Sequence, residues 1–326
     1  MLLNLVSLDW TWALLLTCSS AIAALAYLIY QRHLNDKLTV PVSVNYFFTR
    51  KCNKECGFCF HTEKTSYVAS EADMKRGLRL LREAGMRKIN FAGGEPFLYP
   101  DKLAMLCRFC KDELGLESVS IITNGTKVSR KWIEKYGRWV DVMGVSCDSF
   151  NEQTNIAIGR GSGENVMQLF RIRDWCRKFH IKFKLNTQLD PFRWKVFQVL
   201  YVEGENDETD SRLTKRKSNA KKLLITDEQY EAFCAKHRHL SCMIPEPNSV
   251  MASSYLLVDE YFCFLDKGAG KEKQSRSILE VGVQTALSEI YWDQEAFNAR
   301  GGIFDWTKDE GNVGGCGSSD EKALEW

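Results

Sequence analysis

Short apolar runs alternate with amphipathic stretches between residues 42 and 200, and this alternation is the strongest pattern in the chain. The apolar runs predict strands over 42–48, 88–92, 118–123, 142–146, 182–187 and 193–200. Helical spacing of apolar positions predicts helices over 71–84, 102–114, 130–136, 165–179 and 227–240. Alternating strands and helices indicate parallel βαβ units, so we expect an α/β fold with a partial (β/α)6 barrel over 39–200 and a C-terminal extension over 201–326. Functional residues in such folds lie at the C-terminal ends of the strands.

One junction in this pattern conflicts with the usual geometry of parallel strands. Only residues 188–192 separate the fifth predicted strand from the sixth, whereas a parallel crossover needs about a dozen residues or more. Three explanations are open. The two strands are not parallel neighbours, or the barrel is distorted there, or the chain lacks a segment.

An uncharged run of 21 residues covers positions 10–30. A helix of that length spans the hydrocarbon core of a bilayer, which is about 30 Å thick. Arg32, His33 and Lys37 follow the run and Asp9 precedes it, so the positive-inside rule places the rest of the chain in the cytosol. We therefore expect residues 1–38 to form a membrane-anchor helix and linker. A cleaved signal peptide and an amphipathic helix lying on the membrane surface are the alternatives.

The charge balance excludes one class of partner. The chain has 44 Lys and Arg against 42 Asp and Glu, a formal net charge of +2, so it has no basic field with which to bind a nucleic-acid polymer. Its 44% hydrophobic and 26% charged residues are typical of a globular protein. Its 12 cysteines are spread over a long chain, which argues against a disulfide scaffold and favours a reducing compartment.

Three of these cysteines, Cys52, Cys56 and Cys59, follow the first predicted strand within eight residues. A structural zinc site needs four ligands, and His61 is the one nearby candidate for the fourth. Three thiolates on a [4Fe–4S] cluster would instead leave one iron open for a substrate. The spacing Cys-x-x-x-Cys-x-aromatic-Cys, with Phe58 as the aromatic residue, resembles the signature of the radical S-adenosylmethionine (SAM) superfamily.

Further motifs at strand ends match the SAM-binding positions of that superfamily. Gly93-Gly94-Glu95-Pro96 follows the second strand and resembles the motif that contacts the SAM amino group. Thr123 and Asn124 end the third strand, and Ser146 and Asp148 end the fourth, where the superfamily holds the SAM carboxylate and ribose. Arg160 is expected at the cofactor site as well.

Longer stretches resemble the viperin family of membrane-associated antiviral radical SAM proteins. The resembling segments are 44–46, 52–62, 83–98, 146–150, 158–161, 193–198, 203–206, 257–261 and 277–282. The resemblance implies that the protein converts CTP or UTP to its 3′-deoxy-3′,4′-didehydro form. This product acts as a chain terminator for viral polymerases. It also implies a protein on the endoplasmic reticulum. A radical SAM enzyme acting on a peptide or other small substrate, or an inactive membrane-tethered scaffold, are the alternatives.

A positively charged lining would suit the triphosphate of such a substrate. Lys184 and Asn186 are two residues apart on one strand, as are Arg193 and Lys195 on the next, so each pair shares a face. Together with these four, the expected lining contains Asn45, Lys88, Arg160 and Arg276. Tyr261 resembles the tyrosine proposed to donate a proton in the viperin family.

The resemblance implies one partner, and the chain departs from the family in three ways. The chain ends in Leu324-Glu325-Trp326, which resembles the tail that the cytosolic iron–sulfur assembly machinery binds in this family. The first departure is that residues 10–30 look membrane-spanning, whereas the vertebrate proteins of the family have an amphipathic helix there. Arg276 stands where the family has lysine. The family also has a helix between the strands bearing Lys184 and Arg193, so the resemblance predicts that this chain is one helix short at 188–192.

Overall fold

A computed structural model describes residues 39–61, 63–161, 163–185, 193–202, 205–206, 220–267, 273–300 and 302. The chain divides into two compact units, Met1–Val40 and Pro41–Trp326, and the fold below belongs to the second. The predicted anchor over 10–30 and the tail residues 324–326 lie outside the described residues. Within the described ranges no helix has the length and apolar character that crossing a membrane requires.

Seven parallel strands in chain order form most of one sheet. They are β1 (Ser43–Phe47), β2 (Lys88–Ala92), β3 (Ser118–Thr123), β4 (Val142–Val145), β5 (Lys182–Leu185), β6 (Arg193–Phe197) and β7 (Met243–Glu246). All six predicted strands are confirmed. β7 was not predicted, because its four residues include Pro245 and show no clear alternation.

The C-terminal extension continues the sheet beyond β1. β8 (Leu257–Val258) pairs in parallel with β1, and β9 (Cys263–Leu265) and β10 (Gln274–Ser277) follow as antiparallel strands. The ten strands therefore lie in the order β10-β9-β8-β1-β2-β3-β4-β5-β6-β7. The extension thus adds strands at both edges of the predicted barrel.

Helices cover the outer face of this sheet. They are α1 (Glu71–Glu83), α2 (Pro100–Arg108), α3 (Arg130–Tyr136), α4 (Glu152–Ala157), α5 (Asn165–Lys178), α6 (Asp227–Lys236), α7 (Asn248–Ser254), α8 (Ile278–Val281), α9 (Val283–Ser288) and α10 (Gln294–Ala299). A π-helical turn, Phe109–Glu113, continues α2, and the predicted helix over 227–240 ends at Lys236. Ser70 caps α1 by accepting from the backbone N–H of Asp73.

Alternation along the strands separates an apolar outer face from a polar inner face. Val44, Tyr46, Ile89 and Phe91 belong to the main core beneath the helices. The intervening positions face the interior of the curved sheet. These include Asn45, Lys88, Asn90, Ser120, Lys182, Lys184 and Lys195. A buried polar interior is the setting in which a charged ligand can be bound.

β5 and β6 are parallel neighbours on either side of the short junction. Among the described residues, Lys184 pairs with Arg193 and Leu185 pairs with Trp194. The first of the three explanations is thus wrong, and the other two stay predictions. Residues 186–192 lie outside the described part of the chain.

Candidate active site

The three-cysteine loop follows β1 and is packed against neighbouring loops. The Cys56 thiol donates to the Gly159 carbonyl at 3.7 Å, and the Cys59 thiol donates to the His61 carbonyl at 3.3 Å. The Asn124 side-chain amide donates to the Cys52 sulfur at 3.8 Å. Burial raises the pKa of Cys52, and it raises the pKa of Cys56 to about 12.

The donor set of this loop is three cysteine thiols. Three cysteines that bind a four-iron cluster would leave one iron open. Among the described residues no three His, Cys, Asp or Glu side chains lie close enough to hold one metal ion. His61 is 3% exposed, with its ring 4.5 Å from the Phe47 ring, and neither of its ring nitrogens has a hydrogen-bond partner in the part of the chain that the structure describes.

The Gly93-Gly94-Glu95 segment lies directly against the backbone that leads into the cysteine loop. Gly94 N–H donates to Thr49 O at 2.7 Å, and Glu95 N–H donates to Lys51 O at 2.8 Å. A Cβ on Gly94 would lie 2.1 Å from Lys51 O, and Gly93 has a φ of +113°. Both glycines are therefore required by the close approach of the two loops.

Glu95 holds the ends of β2 and β3 together. Its carboxylate accepts from Thr123 Oγ1 at 2.6 Å, Asn124 N–H at 2.7 Å and Phe97 N–H at 3.0 Å. The side chain is fully buried, and this burial raises its pKa although the three hydrogen bonds oppose the shift. The glutamate therefore positions Asn124, whose side chain faces Cys52. Its predicted contact with the SAM amino group stays a prediction.

The loop after α4 closes the other side of the cysteine loop. Glu55 N–H donates to Gly159 O, and Gly57 N–H donates to Ile158 O, both at 3.2 Å. A Cβ on Gly159, whose φ is +80°, would lie 2.1 Å from Glu55 O. This contact therefore needs glycine.

Arg160 brings Asp148 and Phe58 to the same site. Its Nε donates to Asp148 Oδ2 at 2.5 Å, and its guanidinium lies 5.4 Å from the Phe58 ring centroid. Burial opposes the charge, but Asp148 and Cys56 raise the pKa of Arg160. Ser146 N–H donates to Thr123 O at 2.9 Å. The structure thus brings the predicted SAM-site residues together around the cysteine loop.

Lys195 lies on the inner face of β6 beside side chains that the sequence did not reveal. It forms a buried ion pair with Glu246, and Tyr255 contacts both groups. The Arg300 guanidinium is 3.5 Å from Glu246 and 4.0 Å from the Tyr255 ring centroid. The sequence did not predict Glu246, Tyr255 and Arg300 as site residues, because they lie far from Lys195 along the chain and form no recognisable motif.

The charges of this interior group are strongly coupled. Burial and Lys184 lower the pKa of Lys195 well below its ordinary value, although Glu246 opposes them. Burial alone would raise the pKa of Glu246, but Lys195 and Arg300 lower it. Lys88 and Lys182 are also buried on the inner face, and Asn45 accepts from the Asn90 amide at 2.9 Å. The inner face thus carries buried lysines on several strands in addition to the Lys195–Glu246 pair, and such a concentration of cations favours an anionic ligand.

Tyr261 and Arg276 line a different space, a cavity of about 690 Å³. Tyr261 is 45% exposed, stacks on Tyr67 with centroids 4.6 Å apart, and has its hydroxyl 3.4 Å from Thr65 Oγ1. Arg276 pairs with Glu289, and its described contacts do not include the interior lysines. Asn186 and the side chain of Arg193 lie outside what the structure describes.

Known proteins resemble this chain at the level of the superfamily, the family and the fold. The Radical SAM superfamily model matches residues 46–184. Relatives from Oncorhynchus mykiss and Danio rerio, both named S-adenosylmethionine-dependent nucleotide dehydratase RSAD2, are 46% identical over 288 and 290 residues. These matches cover 82% and 83% of this chain and 81% and 79% of the relatives.

Solved structures share the fold at low identity. Streptococcus suis SuiB bound to S-adenosylmethionine has a TM-score of 0.56 and 14% identity over 83% of this chain and 70% of its own. The protein anSMEcpe with bound AdoMet has a TM-score of 0.55 and 14% identity over 76% of this chain and 80% of its own. The cysteine loop, its SAM-type surroundings and the 46% identity to the dehydratases lead to one conclusion. The chain belongs to the viperin family of S-adenosylmethionine-dependent nucleotide dehydratases, within the radical SAM superfamily.

Proposed function

We propose that this protein converts CTP or UTP to the 3′-deoxy-3′,4′-didehydro nucleotide and acts in antiviral defence. The observation that carries the proposal is the group of buried lysines inside the curved sheet, in a chain 46% identical to relatives named nucleotide dehydratases. Lys195 is paired with Glu246, and the negative charge of a triphosphate would be attracted by Lys195 and the neighbouring lysines of the inner face.

The inner face would bind the triphosphate and orient the sugar. Lys184 and Lys195 lie on adjacent strands, and Lys88 is buried on the same face. Lys195 is held by Glu246 and Tyr255 in a fixed position, so a phosphate would meet a preorganised ammonium group. We also propose Asn45, Asn186, Arg193 and Arg276 as substrate-binding residues, as the family resemblance suggests.

The cofactor site would be formed by the loops at the strand ends. Cys52, Cys56 and Cys59 would hold a [4Fe–4S] cluster, and the residues around Asn124 and Asp148 would hold SAM. When bound, this pair supplies a 5′-deoxyadenosyl radical that removes the 4′ hydrogen of the nucleotide. Arg160 neutralises Asp148 at 2.5 Å and covers Phe58, which helps to exclude water.

Tyr261 is the residue that we assign to proton donation. It would donate the proton with which the 3′ hydroxyl leaves as water once the 4′ hydrogen has been removed, and the uptake of one electron would then complete the 3′,4′ double bond. The family resemblance supports this assignment, and Tyr261 is 45% exposed beside the cavity that Arg276 also lines. The neighbouring Tyr67 ring fixes the plane of the phenol.

The short junction supports a second candidate, an inactive scaffold. The match to the O. mykiss relative extends over 288 residues but takes in 82% of this 326-residue chain, which is about 267 residues. The alignment therefore includes about 20 positions that this chain lacks. A missing crossover helix near 188–192 would explain them, and it would alter the placement of Arg193 and Lys195.

We further propose that residues 10–30 anchor the protein to the endoplasmic reticulum membrane, with the catalytic unit in the cytosol. The uncharged run and the basic residues after it support this topology. The tail at 324–326 would bind the cytosolic iron–sulfur assembly machinery. Deletion of residues 1–38 should release the protein from membranes, and deletion of the last three residues should lower its iron content in cells. An unchanged distribution or iron content would contradict the respective assignment.

Anaerobic reconstitution tests the enzymatic proposal. The protein is loaded with iron and sulfide, supplied with a reductant and SAM, and incubated with CTP, UTP or neither. We expect 5′-deoxyadenosine and a didehydro nucleotide to form only when a nucleotide is present. A loaded cluster that gives no turnover with either nucleotide would refute the proposal and favour the scaffold.

A further inference from the structure

A buried network of charges adjoins the cysteine loop and has no role in the proposed chemistry. At its centre is Glu205, which is 5% exposed. Its carboxylate receives Arg50 Nη1 at 3.2 Å, Lys64 Nζ at 3.4 Å and Lys267 Nζ at 3.2 Å. Arg50 also donates through Nε to Glu260 at 2.9 Å. Buried charges remain charged only when they are paired this closely.

The network joins segments that are remote along the chain. Arg50 lies two residues before Cys52, and Lys64 lies five residues after Cys59, so Glu205 holds both ends of the cysteine loop. Glu260 immediately precedes Tyr261, the proposed proton donor. Through Arg50, Glu205 therefore links the cysteine loop to Glu260 and so to the turn that carries Tyr261.

The next residue, Asn206, holds the middle of the same loop. Its side-chain amide donates to Phe58 O at 3.3 Å and to Leu200 O at 2.9 Å, and its Oδ1 accepts from Val202 N–H at 2.8 Å. Asn206 is also buried. Two adjacent side chains thus hold the loop at its beginning, its centre and its end.

We propose that Glu205 and Asn206 are positioning residues that set the cysteine loop and the Tyr261 turn in register with each other. The inference rests on the proposed nucleotide reaction, in which radical formation and proton donation must act on one sugar. Without the Glu205 charge, Arg50, Lys64 and Lys267 would lose the carboxylate that all three contact. Their repulsion would move the loop ends apart, and a displacement of about 1 Å reduces a well-oriented reaction by about a hundredfold.

Glu205→Gln in the full chain, reconstituted with iron and sulfide, tests this role. The matched control is Glu117→Gln, which breaks the exposed Arg87–Glu117 pair at the opposite end of the sheet. One readout is the ratio of didehydro nucleotide to 5′-deoxyadenosine. The other is the electron paramagnetic resonance spectrum of the reduced cluster with SAM.

We expect Glu205→Gln to retain iron, to lower the ratio of didehydro nucleotide to 5′-deoxyadenosine about tenfold or more and to alter the spectrum of the reduced cluster. Glu117→Gln should have the ratio and the spectrum of the wild type. A wild-type ratio and spectrum in Glu205→Gln would overturn the inference. If that variant does not fold, Lys64→Met decides by the same readouts, since it releases one end of the cysteine loop and leaves Arg50 and Lys267 on Glu205; a wild-type ratio and spectrum in Lys64→Met would then overturn the inference. If the wild type forms no nucleotide product, the proposed function fails, and the spectra alone then decide on the positioning role.

Discussion

Replacing Lys195 by methionine tests directly whether the interior cations bind a triphosphate. The side chain is buried, and it is held by Glu246 and Tyr255 on the inner face of β6. Methionine keeps most of the volume and removes the charge. Glu246 retains Arg300, at 3.5 Å, and Tyr255 as partners, so the fold keeps its remaining contacts in this group.

The size of the effect follows from the lost contact. A hydrogen bond to a charged group contributes about 1.5–3 kcal/mol, which corresponds to a loss of about ten- to a hundredfold in affinity. Breaking a buried ion pair costs at most about 3–5 kcal/mol of stability, and the remaining partners of Glu246 reduce that cost. We therefore expect a folded variant whose defect is in nucleotide binding.

The assay is the KM for CTP and UTP, measured beside the dissociation constant for SAM. Lys195→Met should raise the nucleotide KM and leave SAM binding unchanged. Lys135→Met is the control, because Lys135 is an exposed cation on α3 that lies over the Tyr136 ring. Equal nucleotide KM values in wild type and Lys195→Met would refute the reasoning.

The same residue predicts a pH dependence. Burial and Lys184 lower the pKa of Lys195, so its charge is lost at a pH below the ordinary lysine value of about 10.4. Only the protonated form attracts a phosphate. Nucleotide affinity should therefore fall as the pH rises through the lowered pKa, and Lys195→Met should lack this component.

Three further predictions concern the cofactor site. Gly159→Ala should prevent most iron incorporation, because its Cβ would lie 2.1 Å from a backbone oxygen. The control is Gly115→Ala, where φ is also positive but the space around the Cβ is open; this variant should lose about 1–3 kcal/mol of stability and still incorporate iron normally. Equal iron contents in the two variants would contradict the prediction. Glu95→Gln should leave one buried N–H without a hydrogen-bond acceptor, which costs about 1–3 kcal/mol of folding stability and lowers the melting temperature by about 2–6 °C. An unchanged melting temperature would contradict the role of Glu95 in holding the ends of β2 and β3 together. Cys52→Ala should lose the cluster, measured as iron and sulfide per chain, while Cys176→Ala, buried on α5, should keep it; iron retained by Cys52→Ala would exclude that residue as a ligand.

The strands could be predicted because alternate residues of each strand lie on the outer face of the sheet, which is apolar where it packs against the helices. In β2, Ile89 and Phe91 alternate with Lys88 and Asn90, and this two-residue period fixes both the strand and its inner face. The cysteine spacing predicted the cluster ligands for a similar reason, since the three ligands lie on one short loop. Local patterns therefore predicted the six strands and the loop that carries the three cysteines, whereas the SAM-site residues were predicted from the family resemblance.

Contacts between distant segments could not be predicted in this way. Glu246 is 51 residues from Lys195 and 54 from Arg300, and no spacing in the sequence relates them. Arg276 was predicted for the phosphate lining because of the family resemblance, but the structure pairs it with Glu289 at the cavity beside Tyr261. Side-chain partners of this kind depend on how loops meet in three dimensions.

β6, β7 and α6 pack around a small core separate from the main one, formed by Trp194, Val196, Tyr230 and Cys234. A part of a protein that has its own small core can unfold locally while the rest stays folded. Amide hydrogens of β6 and β7 should therefore exchange faster than those of β1 to β4. A triphosphate bound between Lys184 on β5 and Lys195 on β6 would contact both parts, so the substrate would itself hold the two parts of the sheet together.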